Sequence, residues 1–201
     1  PLSPPLHAAL CHNLPPFFGA FKPIELSAAT WALARLDGLA TADRPDTPPE
    51  ESPLAAAAHD ALSSVGARAF NAHATANVIW GLAKIRPPPP APLVASLLAR
   101  AHETAPELSP QGAANLCSAC ARLAGVDDLP LRPLCDLPLA LLSANSSANS
   151  ANFAAADVGE LAWSLGKLRI DSARRPEENA DADAKAWRAA AHTVWCAAAV
   201  H

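Results

Sequence analysis

Four stretches of this chain are similar to one another and align without a gap. Each is 16 residues long, opens with a large apolar residue, and closes with a small residue, a basic residue and Leu or Ile. We name them the first to fourth segments and number their positions from the opening residue, which is position zero. They are Phe21–Leu36, Phe70–Ile85, Leu108–Leu123 and Phe153–Leu168. Self-similarity constrains the fold more than any other feature, because like units can stack and bury their apolar faces against one another.

Position ten is occupied by Trp31, Trp80 and Trp163 in three segments and by Ser118 in the third. Successive members of this set are 49, 38 and 45 residues apart. The shortest spacing gives the natural length of one unit, because the two longer ones include an acidic, Pro-rich stretch and a loop of Asn and Ser. Each unit holds a shorter helix followed by one of the four segments, and we predict that the two form a helical hairpin.

Each segment has the pattern of an amphipathic helix. Positions five, eight, twelve and fifteen fall on one apolar stripe. In the second and fourth segments these positions are Thr75, Val78, Leu82 and Ile85, and Val158, Leu161, Leu165 and Leu168. Positions six, eleven and thirteen are small, which lets a neighbouring helix approach closely. We expect the Trp side chains to fill the gap between successive hairpins.

Local residues predict several helix ends. Asn71 and Ser109 are expected N-caps, since their side chains can accept a hydrogen bond from a backbone N–H group of the first turn. Phe21 and Leu26 are placed to form a hydrophobic staple around the start of the first segment helix. Gly38 is expected to end that helix.

The composition favours stacked helices over a single bulky core. Half of the 201 residues are apolar, mostly Ala and Leu, but only five are Phe, five are Trp and none is Tyr. Ala favours helix, because it loses no side-chain entropy there. The 21 Pro fall mostly between the helical stretches. Pro138 is expected to break or shift the start of an apolar helix over 134–142.

The predicted fold is therefore an all-α solenoid of about four stacked hairpins and a terminal helix. Its parts are repeat 1 at about 1–40, an exposed insertion at 41–53, repeat 2 at about 54–90, repeat 3 at about 91–130, repeat 4 at about 131–171, a linker at 172–183 and a terminal helix at 184–200. The chain contains no Met, and we expect it to be part of a longer protein.

Charge and cysteine content limit the classes of function. The formal net charge of −4 counts against an obvious nucleic-acid binder, although a repeat protein can keep its basic residues on one face. No apolar run is long enough for a membrane span, so no membrane partner is predicted. The five Cys are irregularly spaced, which indicates a reducing compartment.

Position fourteen is basic in every segment and has two interpretations. The residues are Arg35, Lys84, Arg122 and Lys167. In the first interpretation they are surface cations that complement the helix dipole in the last turn. In the second, stacking brings them into a ladder that contacts a phosphate backbone. Position seven is Asn77 and Asn115 in the middle segments, where the amides either read base edges or bond a neighbouring turn.

No constellation of residues predicts catalysis. Cys117 and Cys120 have the spacing of a metal or redox pair, and Cys135 follows, but a fourth ligand at workable spacing is missing. The two cysteines replace residues that are apolar or small in other segments, so we expect them in the core. The histidines form no ligand motif. We therefore predict no catalytic residue, metal site or cofactor.

The segments resemble the octotricopeptide repeat family, and also the related repeats of FAST-kinase-like and RAP-domain organellar RNA-binding proteins. The matching motifs are Phe21-x-Pro23-x-Glu25-Leu26, Trp31-Ala-Leu-Ala-Arg-Leu36, Ala76-Asn77-x-x-Trp80, and Ser109-Pro110-Gln111 followed by Ala114-Asn115. The resemblance covers about four units. The third segment departs from the family pattern, because it lacks the Trp, and no RAP-like domain is visible in the chain.

The resemblance implies an α-solenoid that binds single-stranded RNA in a chloroplast or mitochondrion. Such proteins act in transcript stability, processing, splicing or translation, and other proteins of an organellar ribonucleoprotein complex are possible partners. The candidate RNA-binding residues are Arg35, Lys84, Arg122, Lys167, Asn77 and Asn115. The alternative is a protein–protein interaction scaffold whose groove takes a peptide or a helix, which the acidic balance favours.

Overall fold

The computed structural model describes residues 4–42, 53–126, 128–144, 153–174 and 184–199. Within these ranges the chain is helical and contains no strand, as predicted. The α-helices are α1 Pro4–Asn13, α2 Pro23–Ala42, α3 Pro53–Val65, α4 Ala72–Leu82, α5 Ala91–Glu103, α6 Pro110–Leu123, α7 Leu131–Ala144, α8 Ala155–Arg174 and α9 Ala184–Ala198. Short 3-10 helices at Pro15–Ala20, Ala67–Ala69 and Ala105–Glu107 precede α2, α4 and α6. No helix in the described ranges is both long enough and apolar enough to cross a membrane.

Three of the predicted segments lie partly outside the described residues. The acidic insertion at 41–53 includes the undescribed residues 43–52, and the Asn and Ser loop includes 145–152. The linker predicted at 172–183 includes 175–183.

The four segments form helices α2, α4, α6 and α8, and their first turns are capped by side chains. Asn71 accepts a hydrogen bond from the N–H of Ala74 at 2.9 Å, and Ser109 accepts one from the N–H of Gly112 at 3.1 Å. Both predicted N-caps are thereby confirmed. Each cap satisfies a backbone donor that has no partner within the helix and stabilises it by about 1 kcal/mol.

The segment helices pack side by side in chain order. α2 contacts α4, α4 contacts α6, and α6 contacts α8. The remaining elements contact one another on the other side: the 3-10 helix Pro15–Ala20 packs on α3, α5 packs on α7, and α7 packs on α9. Contacts between α4 and α5 and between α6 and α7 join the two sets.

The predicted apolar stripes form the core between these two sets of helices. In the second segment, the stripe residues Thr75, Val78 and Leu82 of α4 are buried, and so is Ile85 just beyond the end of this helix. In α8, Leu161, Leu165 and Leu168 are buried, and Val158 is half-buried against the same core. Burial of each such aliphatic side chain contributes about 1.5–3 kcal/mol, so these stripes are the main source of stability.

Small residues set the distance between neighbouring segment helices. A Cβ atom added to Gly81 of α4 would lie 2.8 Å from Thr30 Cγ2 and 2.9 Å from the Thr30 backbone oxygen in α2. One turn earlier in the same interface, the Ser27 hydroxyl donates a hydrogen bond of 3.3 Å to the backbone oxygen of Ala74. The prediction that small residues permit close approach is confirmed at this contact.

Two helices extend further than predicted. α2 passes through Gly38, the expected end, and reaches Ala42. The residues that follow Gly38 are mainly Leu and Ala, whose helix propensity offsets the cost of about 1 kcal/mol for an interior Gly. α8 continues beyond Asp171, where Lys167 Nζ lies 2.8 Å from the Asp171 carboxylate across one helical turn. This ion pair joins the last turn of the fourth segment to the turn that follows it. α8 therefore ends at Arg174 and includes the first residues of the linker predicted at 172–183.

α7 also passes through Pro138, where a break or a shifted start was expected. Pro in a helix interior costs about 3 kcal/mol, because it removes a hydrogen bond and its ring crowds the preceding turn. The helix buries Leu134 and Leu137 before the Pro and Leu141 and Leu142 after it. These four side chains together outweigh the local penalty.

The Gly81 contact predicts opposite effects for two similar substitutions. Gly81→Ala places a methyl group against the Thr30 backbone and should lower the free energy of unfolding by about 1–3 kcal/mol. Gly166→Ala should raise it by about 0.5–1 kcal/mol, because Gly166 lies inside α8 with nothing within 4 Å of an added Cβ. Urea unfolding followed by circular dichroism measures both, and equal effects would contradict the assigned packing.

Burial of His59 in α3 predicts a pH-dependent stability. Desolvation lowers the pKa of His59 below its ordinary value of 6.5, although the neighbouring Asp60 acts in the opposite direction. The unfolded chain therefore binds a proton at a higher pH than the folded chain. This contribution to stability is complete above pH 6.5 and is lost as the pH falls through the folded-state pKa.

Unfolding in urea between pH 7 and pH 5 measures this effect. The free energy of unfolding should fall by about 1.4 kcal/mol for each pH unit between the unfolded-state and folded-state pKa values of His59. The variant His59→Leu should have a flatter pH dependence than the unmodified chain. Parallel curves for the two proteins would contradict the role of His59.

Candidate nucleic-acid interface

Each segment presents one narrow strip of side chains that lies mostly at the surface. Successive residues are about 100° apart around a helix axis, so positions three, seven, ten and fourteen fall on the same arc. We name the strips of α2, α4, α6 and α8 together the outer face. Its members are exposed or half-buried, except for the buried Ser118. They are Ile24, Ala28, Trp31, Arg35, His73, Asn77, Trp80, Lys84, Gln111, Asn115, Ser118, Arg122, Ala156, Glu160, Trp163 and Lys167.

The outer face therefore carries all six candidate RNA-binding residues. Arg35 and Arg122 are exposed, whereas Lys84, Lys167, Asn77 and Asn115 are half-buried. Sequence reasoning missed position three, which holds His73 and Gln111 in the two middle segments. The signal was present, because these residues lie one helical turn before Asn77 and Asn115.

The basic residues of the first three segments lie close enough to affect one another. The pKa of Lys84 is lowered, first by burial, then by the positive charge of Arg122 and, less strongly, by that of Arg35. The negative charge of Glu160 acts in the opposite direction. Packing of α2, α4, α6 and α8 thus gathers three cations and one carboxylate in one area of the outer face.

The cations lie over the tryptophan rings. Lys84 Nζ is 3.7 Å from the centroid of the Trp80 ring, and Arg35 Cζ is 5.6 Å from that of Trp31. Both pairs are one helical turn apart in the same segment. A cation over an aromatic face is attracted by the ring quadrupole, by about 0.5–1 kcal/mol at an exposed site.

The third segment, which has no Trp, uses the Trp of the next helix. Arg122 of α6 places its Cζ 4.9 Å from the centroid of the Trp163 ring in α8. Ser118 occupies position ten of the third segment and donates a hydrogen bond to Glu160 Oε1. Arg122 Nη2 lies 3.9 Å from the same oxygen. Lys167, the basic residue of the fourth segment, pairs instead with Asp171.

The tryptophans do not fill the space between hairpins, contrary to expectation. Trp31 is 45% exposed and Trp163 is 42% exposed, while Trp80 is half-buried. Position ten lies beside the stripe that enters the core, so its side chain remains at the surface. Trp31 and Trp80 stack on each other with centroids 6.2 Å apart and ring planes at 22°. Two adjacent helices thus form one aromatic surface.

Two grooves flank this aromatic row. The first has a volume of about 330 Å³ and is lined by polar side chains of α4 and α6 together with Trp31. The Asn77 amide lies 3.1 Å from His73 Nε2, one turn away, which agrees with the expectation that such an Asn can bond a neighbouring turn. Among the described residues, no side-chain hydrogen bond is found for Asn115. The groove residues are Ala28, Trp31, His73, Ala76, Asn77, Ser109, Gln111, Gly112 and Asn115.

The second groove, of about 220 Å³, is cationic. Arg86, Arg122 and Lys167 line it together with Trp163 and apolar residues near the end of α4. Arg86 follows the basic and apolar residues that close the second segment, and the sequence did not indicate it as a binding residue. The groove brings Lys167 of α8 next to Arg122 of α6.

Cys117 and Cys120 lie in the core, as predicted, and are completely buried. Burial raises the pKa of Cys117 to about 12. It also raises the pKa of Cys120, an effect that the neighbouring Cys117 and Cys135 strengthen. Such thiols are protonated at neutral pH and are poor nucleophiles. In the described part of the chain, no three His, Cys, Asp or Glu side chains are arranged to hold a metal ion.

Comparisons with other proteins add no relative. No protein-family model matches the chain, and searches of curated proteins and of solved structures gave no significant match.

Proposed function

We propose that this chain is an RNA-binding module built as an α-solenoid, with single-stranded RNA lying along the outer face. The observation that carries the proposal is the combination of an exposed aromatic row and neighbouring cations on that face. Proteins that bind single strands use this combination, since bases stack on aromatic rings while cations track the phosphates. The resemblance to octotricopeptide repeats supports the same function.

The side chains on the outer face match the chemical parts of a nucleotide. Trp31 and Trp163 offer exposed rings for stacking, worth about 1–3 kcal/mol per base. Arg35, Lys84 and Arg122 supply positive charge beside these rings. The amides of Asn115 and Gln111 line the first groove, where they are placed to form hydrogen bonds with base edges.

The acidic balance of the whole chain is compatible with this proposal, because the described part is basic. The chain contains 15 Lys and Arg and 19 Asp and Glu. The described residues include 13 of the former and ten of the latter. The net negative charge therefore comes entirely from the undescribed segments, and on the outer face Glu160 is the only described carboxylate.

The biological setting follows from the resemblance alone. We propose a factor that acts on organellar transcripts, in a chloroplast or a mitochondrion, in RNA stability, processing, splicing or translation. Crosslinking of the tagged protein in its native cells, followed by sequencing of the bound RNA, tests this setting. Recovery of nuclear-encoded transcripts without organellar ones would contradict it.

A protein-interaction scaffold is the alternative function. It is favoured by exposed aliphatic side chains, notably Ile24 and Ile170, which are 58% and 55% exposed. Exposed aliphatic side chains gain more from contact with an apolar protein surface than from contact with a phosphate backbone. Absence of salt-dependent retention of any RNA pool would favour this alternative.

Charge removal on the outer face should weaken RNA binding and its salt dependence. In the variant Arg35→Gln/Lys84→Gln/Arg122→Gln, each lost phosphate contact lowers the slope of log K against log salt by about 0.7, giving a loss of about 2. Fluorescence anisotropy with a random single-stranded RNA pool at several salt concentrations measures it. Lys167 is left in place, because it also pairs with the buried Asp171 carboxylate.

The matched control is Arg68→Gln/Arg132→Gln/Arg188→Gln, which removes the same charge from exposed positions away from the outer face. This control should retain most of the slope. Equal losses in both variants would show that only net charge matters, and would contradict the assignment of the outer face.

Loss of an exposed ring should weaken binding by more than it lowers stability. Trp163→Ala should reduce affinity for single-stranded RNA roughly 5- to 150-fold, corresponding to about 1–3 kcal/mol of base stacking. The control is Phe17→Ala, which removes a ring that is 57% exposed before α2. Affinity measured at fixed salt, with the unfolding midpoint of each variant, separates binding from folding. An unchanged affinity of Trp163→Ala would argue against stacking at this ring.

A further inference from the structure

The second groove collects positive charge from three separate parts of the chain. Arg86 follows α4, Arg122 lies in the last turn of α6, and Lys167 lies in α8. Arg86 is positioned by its neighbours in the sequence, because Ile85 and Pro89 are buried while Arg86 itself is exposed. The three cations line one groove because α6 packs against both α4 and α8.

The Lys167 amine reaches from α8 to the turn that follows α6. A Cβ atom added to Gly125 would lie 3.2 Å from Lys167 Nζ. Gly125 is three residues beyond Arg122, which also lines the groove. The end of α6 therefore carries two positive charges, one from its own last turn and one from the neighbouring helix.

Part of this positive charge is not neutralised within the described part of the chain. Asp171 pairs with Lys167, and Glu160 Oε1 lies 3.9 Å from Arg122 Nη2, but neither carboxylate lines the groove. Arg86 forms no ion pair and no side-chain hydrogen bond with another described residue. An anion can therefore enter the groove and pair with Arg86 without displacing a carboxylate from it.

The remaining walls of the groove are apolar. Leu82, Ile85 and Leu123 are buried beneath it, and none of its lining side chains is an amide, a hydroxyl, an imidazole or a carboxylate. An apolar surround strengthens the attraction between a cation and an anion, because it lowers the local dielectric constant. Trp163, which is 42% exposed, adds a ring on which any base can stack. The groove is thus suited to a phosphate beside a stacked base of any identity.

We propose that the second groove binds a phosphate monoester at one end of a single-stranded RNA, with the terminal base stacked on Trp163. A monoester carries about −1.5 to −2 charge at pH 7 and offers three acceptor oxygens. A phosphodiester inside the strand carries less charge and has fewer free oxygens. Three cations from three elements therefore match the monoester better. The inference rests on the proposed function, and it adds that a phosphorylated end of the strand is recognised.

Oligouridines of equal length that differ only at their ends test the proposal. One carries a 5′ phosphate, one carries a 3′ phosphate, and one has hydroxyl groups at both ends. Competition against a fluorescent RNA should show that one phosphorylated form binds roughly 10- to 150-fold more tightly than the hydroxyl form, the range for one added hydrogen bond to a charged group. The form that binds more tightly identifies which end of the strand enters the groove.

The variant Arg86→Gln should largely remove this preference, because Arg86 belongs to the groove and not to the outer face. The matched control is Arg68→Gln, which removes one charge from an exposed position outside the groove and should keep the preference. Unfolding midpoints show whether both variants are folded, which is expected since both arginines are exposed.

The possible failures are distinguishable. Equal binding of all three oligouridines would overturn this inference and leave the proposed function in place. A preference for a phosphorylated end that survives in Arg86→Gln would overturn the assignment of the monoester to this groove. Binding of none of the three would contradict the proposed function, and this inference with it.

Discussion

Close contact between α2, α4, α6 and α8 is the constraint on which the other features depend. Gly81 has no room for a Cβ atom against Thr30, so the distance between α2 and α4 is set by the absence of a side chain. Only at this distance can Trp31 and Trp80 stack across two helices. The same packing half-buries Lys84 and brings Arg122 and Arg35 near it, and these effects, burial first, lower the pKa of Lys84. Helix spacing thus decides the chemistry of the outer face.

The outer face balances attraction and repulsion among its own groups. Three gathered cations repel one another, and burial of Lys84 adds a desolvation cost. The aromatic rings and Glu160 offset this repulsion, because each of the three cations lies over a ring and Arg122 also approaches the carboxylate. A polyanion that lies along this face would reduce the repulsion among these cations further. This is why single-stranded RNA is the ligand that we propose. The same charge distribution explains how a chain of net charge −4 can present a basic surface.

The sequence by itself determined the local features of this protein. Helical periodicity specified the buried stripe of α4, and short-range cap chemistry specified Asn71 and Ser109, because both depend on residues within a few positions of one another. It also named Arg35, Lys84, Arg122, Lys167, Asn77 and Asn115 as candidate RNA-binding residues, which stays a prediction, and it did not name His73, Gln111 or Arg86. Tertiary structure alone decided the partners across helices. Arg122 lies over Trp163 because α6 and α8 pack together, and the path of α7 through Pro138 depends on leucines buried by other helices. Such contacts join residues far apart in the chain, and no local pattern encodes them.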